Sequence, residues 1–240
     1  MYRHLGGACM NNDENQPDFS LFLAVTVHDM KNSVALLSGT LEKILANEEI
    51  KTVPEYQQMA HMLYETKRLN NNLIQLLALH KDMGNPSYPF DPQPIAIQDF
   101  VTEVEAQNRI LCEAKGINFQ TEFTSDLVGN FDEDLVVGVV GTALNNAIHY
   151  TKDKIRLVIL QKEGYLEIRV EDNGEGYPPE MFAADMTKKS GVNFLTGSTG
   201  LGLYFSSIVA KMHKHRGEEG RVMLENGGAW GGGCFVLRLP

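Results

Sequence analysis

The stretch "KIRLVILQKEGYLEIRVED", Lys154–Asp172, decides the fold. Two runs rich in β-branched and long apolar residues flank Glu163-Gly164, which reads as two strands joined by a tight turn. Upstream lie a helical pattern from about Glu133 to His149, a strand-like "GINFQTEF", a helix from Gln98 to about Ala114 and a short strand-like "PIAI". Downstream, a helix from Leu201 to Lys214 precedes the strands "RVMLE" and "CFVLRLP". The mixture is an α/β alternation, spanning residues 94–240 as one domain.

Before it, "NPSYPFDPQP" carries four prolines and marks a linker, residues 85–93. The texture upstream is different. Leu21, Val25, Val34, Leu37, Leu41, Ile44 and Leu45 recur mostly at three- or four-residue steps, the stripe of an amphipathic helix. "ANEEIKTVP" breaks that stripe, and a second one runs from Tyr56 through Leu63, Leu69, Leu73 and Leu77 to the stop signal "DMGNP". Residues 18–84 are therefore a helical hairpin. Two helices of roughly thirty residues cannot shield both stripes from water, so the expected remedy is a second copy and a dimeric four-helix bundle. Residues 1–17 hold Asn, Asp, Glu, Gln and Pro with little periodicity and read as a mobile tail.

Bulk numbers narrow the function. The 240 residues are 43% hydrophobic and 22% charged, with a formal net charge of −10, which argues against a sequence-independent nucleic-acid binder. No apolar run approaches the ~20 residues that span a bilayer, so a soluble, cytoplasmic chain without membrane insertion is expected. "GGAC" near the start lacks the apolar core of a signal sequence. Cys9, Cys112 and Cys234 are far apart and without metal-ligand spacing, which suits reduced thiols. His213 and His215, in "KMHKHRG", read as structural residues of a basic helix end.

The motifs point to a nucleotide. Neither GxxxxGK[ST] nor a GxGxxG between strand and helix is present, so P-loop and Rossmann chemistry are excluded. "EDNGEGYPP", Glu171–Pro179, instead follows a strand with an acid and two glycines. Ionised Asp172 is a pure acceptor, suited to an exocyclic amino group, while Gly174 and Gly176 let backbone approach a ring; a plain turn is the alternative. "GSTGLGLYFSSIVAKM" places Gly197, Gly200 and Gly202 at a helix entry whose free N–H groups suit phosphates. In "ALNNAIHYT", Asn146 and His149 lie one turn apart, so an amide oxygen for Mg2+ and a group for phosphate can face one ligand. Capping residues at a helix end are the alternative there.

A fourth box, "VHDMKNS", Val27–Ser33, sets a histidine beside an acid near the end of an apolar run. Taken in order, "HDMKN", "NNAIHYT", "DNGEG" and "GSTGLGL" resemble the transmitter core of the sensor histidine kinases of two-component signalling. That resemblance implies an α+β chain, with a dimeric helical bundle followed by an α/β sandwich of the GHKL (Bergerat) type whose helices cover one face of a mixed sheet.

It further implies ATP and Mg2+ as cofactors and His28 as phosphoacceptor. Asp29 would orient the imidazole and accept its proton, and Asn32 would position the water that dephosphorylates a response regulator. Asn146 matches the Mg2+-coordinating asparagine, His149 and Tyr150 the residues flanking the nucleotide, and Asp172, Gly174 and Gly176 the adenine box. Gly200, Leu201, Gly202 and Leu203 match the second glycine box. Pro178 to Thr199 would form the lid, from which Ser198, Lys188 or Lys189 could reach phosphate, and Trp230 in the terminal glycine turn is packing.

Departures matter. Thr142 stands where the family most often has a first asparagine, and a hydroxyl is a weaker cation ligand than an amide oxygen. Asn32 replaces the usual proline. Twenty-seven residues precede His28, so the input is expected from a separate sensor protein, a removed segment or the bundle itself. The partner implied is a response-regulator receiver domain. A kinase-poor phosphatase or a non-catalytic scaffold is the alternative, and a serine kinase or ATPase of the same nucleotide fold is a third reading that the hairpin disfavours.

Overall fold

The computed structural model describes residues 19–82, 90–183 and 201–240. Two helices, α1 (Phe19–Leu45) and α2 (Tyr56–Asp82), form the hairpin. A short 3-10 helix, Glu48–Thr52, fills the turn, capped by the Asn47 side chain, which accepts from the Glu49 N–H. This is the predicted break at "ANEEIKTVP". The expected tail lies outside the described residues.

The second unit runs β1 (Gln93–Ala96), α3 (Ile97–Lys115), β2 (Asn118–Phe123), β3 (Val128–Phe131), α4 (Glu133–Tyr150), β4 (Lys154–Lys162) and β5 (Tyr165–Asp172). It continues with α5 (Pro179–Ala183), α6 (Leu201–Met212), the two-residue strands β6 (Lys214–His215) and β7 (Glu218–Glu219), then β8 (Arg221–Asn226) and β9 (Gly233–Leu239). The main sheet is ordered β2-β4-β5-β9-β8, with β2 and β4 parallel and every other neighbouring pair antiparallel. The expected mixed sheet with helices on one face is present. Helix α6 ends at Met212, two residues before the sequence reading, and β3 was not anticipated.

Alternation along β5 explains the layering. Leu166, Ile168 and Val170 face the helices and meet Leu239, Leu237 and Phe235 of β9, all buried. The intervening Glu167, Arg169 and Glu171 line the other face. There they join a charged ladder: Arg169 pairs with Glu171 at 3.2 Å and Glu225 at 2.8 Å, Arg156 with Glu171 at 2.9 Å, and Arg238 with Glu167 at 3.0 Å. Burial alone would raise the Glu171 carboxyl, but the Ala229 N–H and the two arginines outweigh it and hold the carboxyl low. Cys112 and Cys234 are free and buried, and burial pushes their thiols up to about 11 and about 12. Such thiols stay protonated and unreactive.

The hairpin docks along the second unit through one face of α2. Near the turn the contact is apolar, with Tyr56, Ala60, Leu63 and Tyr64 continuous with the core that holds Ile110 and Leu111. Farther along it becomes polar. Gln57 donates to the Ala114 carbonyl at 3.0 Å, Lys67 to the Gln107 carbonyl, and Gln75 to the Thr142 hydroxyl at 3.0 Å. Between α1 and α4 remains a cleft of about 430 Å³, whose lining includes Lys31, Ser38, Asn70, Gly138 and Asn145. Exposed on the hairpin are Met30, Leu37 and Ile44, seven residues apart on α1, and Met62 and Leu69 on α2.

Candidate functional site

Helix α4 delivers the first group of residues. Asp132 caps its start, accepting from the Leu135 N–H at 3.1 Å through one oxygen and from the Asp91 N–H at 3.1 Å through the other. At the far end the Thr151 N–H bonds the Ala147 carbonyl. Asn146, His149 and Tyr150 are exposed on the last two turns, and the rings of His149 and Tyr150 meet edge to face with centroids 4.6 Å apart.

That end is pinned to the loop after β5 by a residue that sequence reasoning passed over. The Asn173 side-chain oxygen accepts from the backbone N–H groups of Lys152, Asp153 and Lys154 and from the Thr151 hydroxyl, at 2.8 to 3.2 Å. Its amide donates to Asp153 at 2.6 Å. One side chain thereby closes the "NNAIHYT" helix against the "DNGEG" loop. An Asn after the Asp of a turn was the available signal.

Asp172 ends the helix-facing row of β5, so period-two alternation turns its carboxylate toward α4 rather than toward the charged ladder. Its Oδ1 accepts from the Gly174 N–H at 2.7 Å and the Gly233 N–H at 3.2 Å, and the residue is buried. Glycine is needed around it for packing. A Cβ at Gly174 would lie 2.4 Å from the Tyr150 carbonyl oxygen, and one at Gly232 would lie 2.4 Å from the Asp172 carbonyl oxygen. Gly176 has φ +82°, the left-handed region, and a Cβ there would strike Asn226. Asn226 accepts from the Tyr177 N–H and donates to the Tyr177 carbonyl, both at 2.8 Å. The Tyr177 ring packs beside Gly233, and burial together with the Asp172 charge holds its hydroxyl well above the usual value. Gly232 and Gly233 thus pack on Asp172 and Asn226 braces its loop, and their long chain separation hid them.

Helix α6 brings in the second glycine box. Leu201 and Leu203 are half-buried at its start, and a Cβ on Gly202 would meet the Thr142 methyl at 2.8 Å. Ser198 and Gly200 lie outside the described residues, as do Lys188, Lys189 and most of the expected lid. His28 falls within α1; Asp29 and Asn32 are exposed on that helix. The Asn146 amide oxygen is available for a hard cation, while the Thr142 hydroxyl, one turn earlier, already donates to the Gly138 carbonyl at 2.8 Å and accepts from Gln75. Among the described residues no group of three His, Cys, Asp or Glu could hold a metal ion. A cation here would therefore rest on Asn146 and on phosphate oxygens, a donor set that suits Mg2+. Trp230 lies under two cations, Lys154 at 6.0 Å and Arg156 at 5.8 Å from its ring, rather than in an apolar core.

Helix α4, the Asp172 pocket and α6 all fall in the segment matched by a family model described as "Histidine kinase-, DNA gyrase B-, and HSP90-like ATPase", residues 131–240. Residues 131–240 thus match an ATPase domain of the histidine kinase-, gyrase B- and HSP90-like type. The sensor protein SrrB of Staphylococcus aureus (strain NCTC 8325 / PS 47) is 26% identical over 245 residues, covering 96% of this chain and 40% of that protein. The same protein from strain MRSA252 matches to the same extent. The chain thus spans about two-fifths of the length of the curated relatives it matches. Among solved structures, the catalytic domain of histidine kinase ThkA superposes with a TM-score of 0.54 at 20% identity, over 62% of this chain and 97% of that one. Full-length ShkA in complex with AMPPNP gives 0.59 at 20% identity, over 92% of this chain and 46% of that one. The two solved structures share the fold of this chain over the parts that superpose. Among the described residues no helix is long and apolar enough to cross a membrane.

Proposed function

We propose that the chain is an ATP-dependent protein-histidine kinase acting on His28 and, through it, on the receiver domain of a response regulator. The observation that carries this reading is the closing of the α4 polar face onto the Asp172 pocket, in a kinase core whose preceding hairpin bears His28-Asp29. Asp172 accepts from the adenine amino group with the carboxylate its two glycine N–H groups hold in place. Tyr177 walls the pocket, His149 and Tyr150 flank the nucleotide, and the start of α6, with Gly202 and the leucines on either side, presents the positive end of its helix dipole to phosphate.

In the transfer, an imidazole nitrogen of His28 attacks the γ-phosphorus, the bond from phosphorus to the β-γ bridging oxygen breaks, and ADP leaves. Asp29 takes the ring proton. Asn146 would help hold Mg2+ at the phosphates, and the ion when bound would supply charge neutralisation. The phosphoryl group then passes to a carboxylate of the receiver domain, and Asn32 positions the water for its later hydrolysis. The two apolar rows of the hairpin, Met30-Leu37-Ile44 and Met62-Leu69, support a homodimeric four-helix bundle. A cytoplasmic location and a separate sensor protein complete the reading.

A second reading, a kinase-poor phosphatase or receiver-docking scaffold, draws on the Thr142 hydroxyl already being engaged by Gly138 and Gln75. Incubation with γ-labelled ATP and Mg2+ separates the two. Acid-labile label on wild type that vanishes in His28→Gln supports the kinase. Nucleotide binding by wild type with no label supports the second reading, and acid-stable label favours a serine kinase.

A further inference from the structure

Gln75 is 4% exposed although it is a primary amide at the polar end of a docked helix. A buried amide needs partners, and Gln75 finds one in another unit: its Nε2 donates to Thr142 Oγ1 at 3.0 Å, and Thr142 passes its own proton to the Gly138 carbonyl at 2.8 Å. The direction of this chain is fixed. Thr142 Oγ1 spends its proton on Gly138, so it can only accept from the amide, which assigns Nε2 rather than Oε1 to the contact. On the other side the Thr142 methyl touches the Gly202 backbone, and Gln75 Nε2 itself stands 3.8 Å from a Cβ built on Gly202. Helices α2, α4 and α6 therefore meet at one point, between the two glycine-box and asparagine-box elements of the nucleotide site.

The docking of α2 is uneven along its length. Tyr56, Ala60, Leu63 and Tyr64 anchor the turn end in the common core, whereas farther along Asn71 lies beside Gly141 and Gln75 makes a polar contact with Thr142. An apolar anchor at the turn with a hydrogen bond three turns on lets the Gln75 contact act as a catch. The catch also occupies chemistry the site needs. An N–H aimed at Thr142 Oγ1 takes one of its two lone pairs and sets a positive dipole against it, so the oxygen is a poorer partner to Asn146 in holding Mg2+ while Gln75 is in place.

We propose that Gln75 is a positioning residue of the nucleotide site, a catch on the hairpin that keeps the Thr142 hydroxyl engaged and weakens Mg-ATP binding until it is released. This inference rests on the kinase reading above. By linkage, Mg-nucleotide must in turn loosen the far end of α2.

The test is a binding titration of the full chain with a fluorescent ATP analogue, with Mg2+ and with EDTA. The proteins are wild type, Gln75→Leu, which keeps the bulk and removes the donor, Gln75→Ala, Thr142→Val, and the Gln75→Leu/Thr142→Val pair. Both Gln75 variants are expected to tighten Mg-nucleotide binding about five-fold, the worth of one hydrogen bond between partly buried groups. The gain is expected to disappear in EDTA and to be absent in the Thr142→Val background. In wild type, Mg-nucleotide is expected to raise amide exchange in the last turns of α2. A change of equal size with and without Mg2+, a loss of affinity, no change at all, or additivity with Thr142→Val would each overturn the proposal. Wild type that binds no nucleotide would overturn the kinase reading and this inference together.

Discussion

The backbone N–H of Asp132 donates to Nε2 of His213 across 3.1 Å, joining the cap of α4 to the end of α6. Because Nε2 accepts, the proton of the neutral ring sits on Nδ1, which donates to the Val209 carbonyl at 2.8 Å. The Phe90 ring packs edge-on against the imidazole at 4.9 Å. The sequence reading of His213 as a structural residue at a basic helix end gains a specific form, a neutral buried acceptor.

A pH dependence follows from that neutrality. Burial is the largest influence on His213 and pulls its pKa below the usual value, against the opposing pull of Val209 and Asp132. The unfolded chain then binds a proton more readily than the folded one, so stability rises with pH across this window. The contribution is complete above about pH 6.5 and is lost as pH falls through the lower folded value. Thermal melting followed from pH 7.5 to 5 should show the decline, and His213→Gln should flatten it at a cost of about 1 kcal/mol at pH 7.5. An unchanged slope in the variant would remove His213 from the explanation.

Asp172→Asn should separate recognition from folding. An asparagine oxygen can still accept from Gly174 and Gly233, so the melting temperature should move little. Binding of adenosine and of ATP should fall by similar factors, about tenfold or more, because the lost acceptor reads the base rather than the phosphates. Isothermal titration with both ligands checks this, and a loss confined to ATP would contradict it.

Gly174→Ala should be costly for a reason internal to the protein. Its Cβ would press on the Tyr150 carbonyl, and backbone cannot yield as a flexible side chain can. About 1–3 kcal/mol of lost stability is expected in urea denaturation, together with weaker nucleotide binding. Wild-type stability in this variant would mean that α4 ends farther from the loop than described.

The boxes were legible because each is a local pattern on a long periodic element. Helices α1 and α2 showed their three- and four-residue stripes, α3 and α4 their place in the α/β alternation, and β4 and β5 their apolar runs around Glu163-Gly164. Strand β3 escaped notice since "VGNF" carries glycine and asparagine in its middle and looks like a turn; its pairing with β1 is what makes it a strand. Asn173, Asn226, Gly232 and Gly233 were missed for another reason. Their partners lie across the sheet or at the end of α4, and no periodicity announces a contact between distant loops. Gln75 was invisible for the same cause, as a polar residue in an apolar stripe whose partner belongs to α4.

Removing Glu171 should test the charged face of the sheet. Its carboxylate pairs with Arg156 and Arg169 and accepts from the Ala229 N–H at 3.1 Å, so Glu171→Gln leaves two half-buried cations short of a partner. Arg169 keeps Glu225, which limits the loss to about 2 kcal/mol at neutral pH. The wild-type contribution is present above the ordinary carboxylate range and lost as pH falls through the lowered folded value. Urea midpoints of the two proteins should therefore converge in acid; a constant gap would argue against the pairing.

Leu37→Glu probes assembly without touching the protomer core, since Leu37 is 59% exposed. A monomer by sedimentation, with melting shifted only by the loss of association, is the expected outcome. A variant that still sediments as a dimer would move the interface elsewhere.

The ladder of arginines and glutamates has a consequence for how this domain can be used. A sheet face that neutralises its own charges through Arg156, Glu171, Arg169, Glu167 and Arg238 offers no greasy surface for a third layer and no incentive for sheets to stack. The domain is finished on that side. Its dealings with neighbours fall to the helical side, where the hairpin already shares the core, and to the loops.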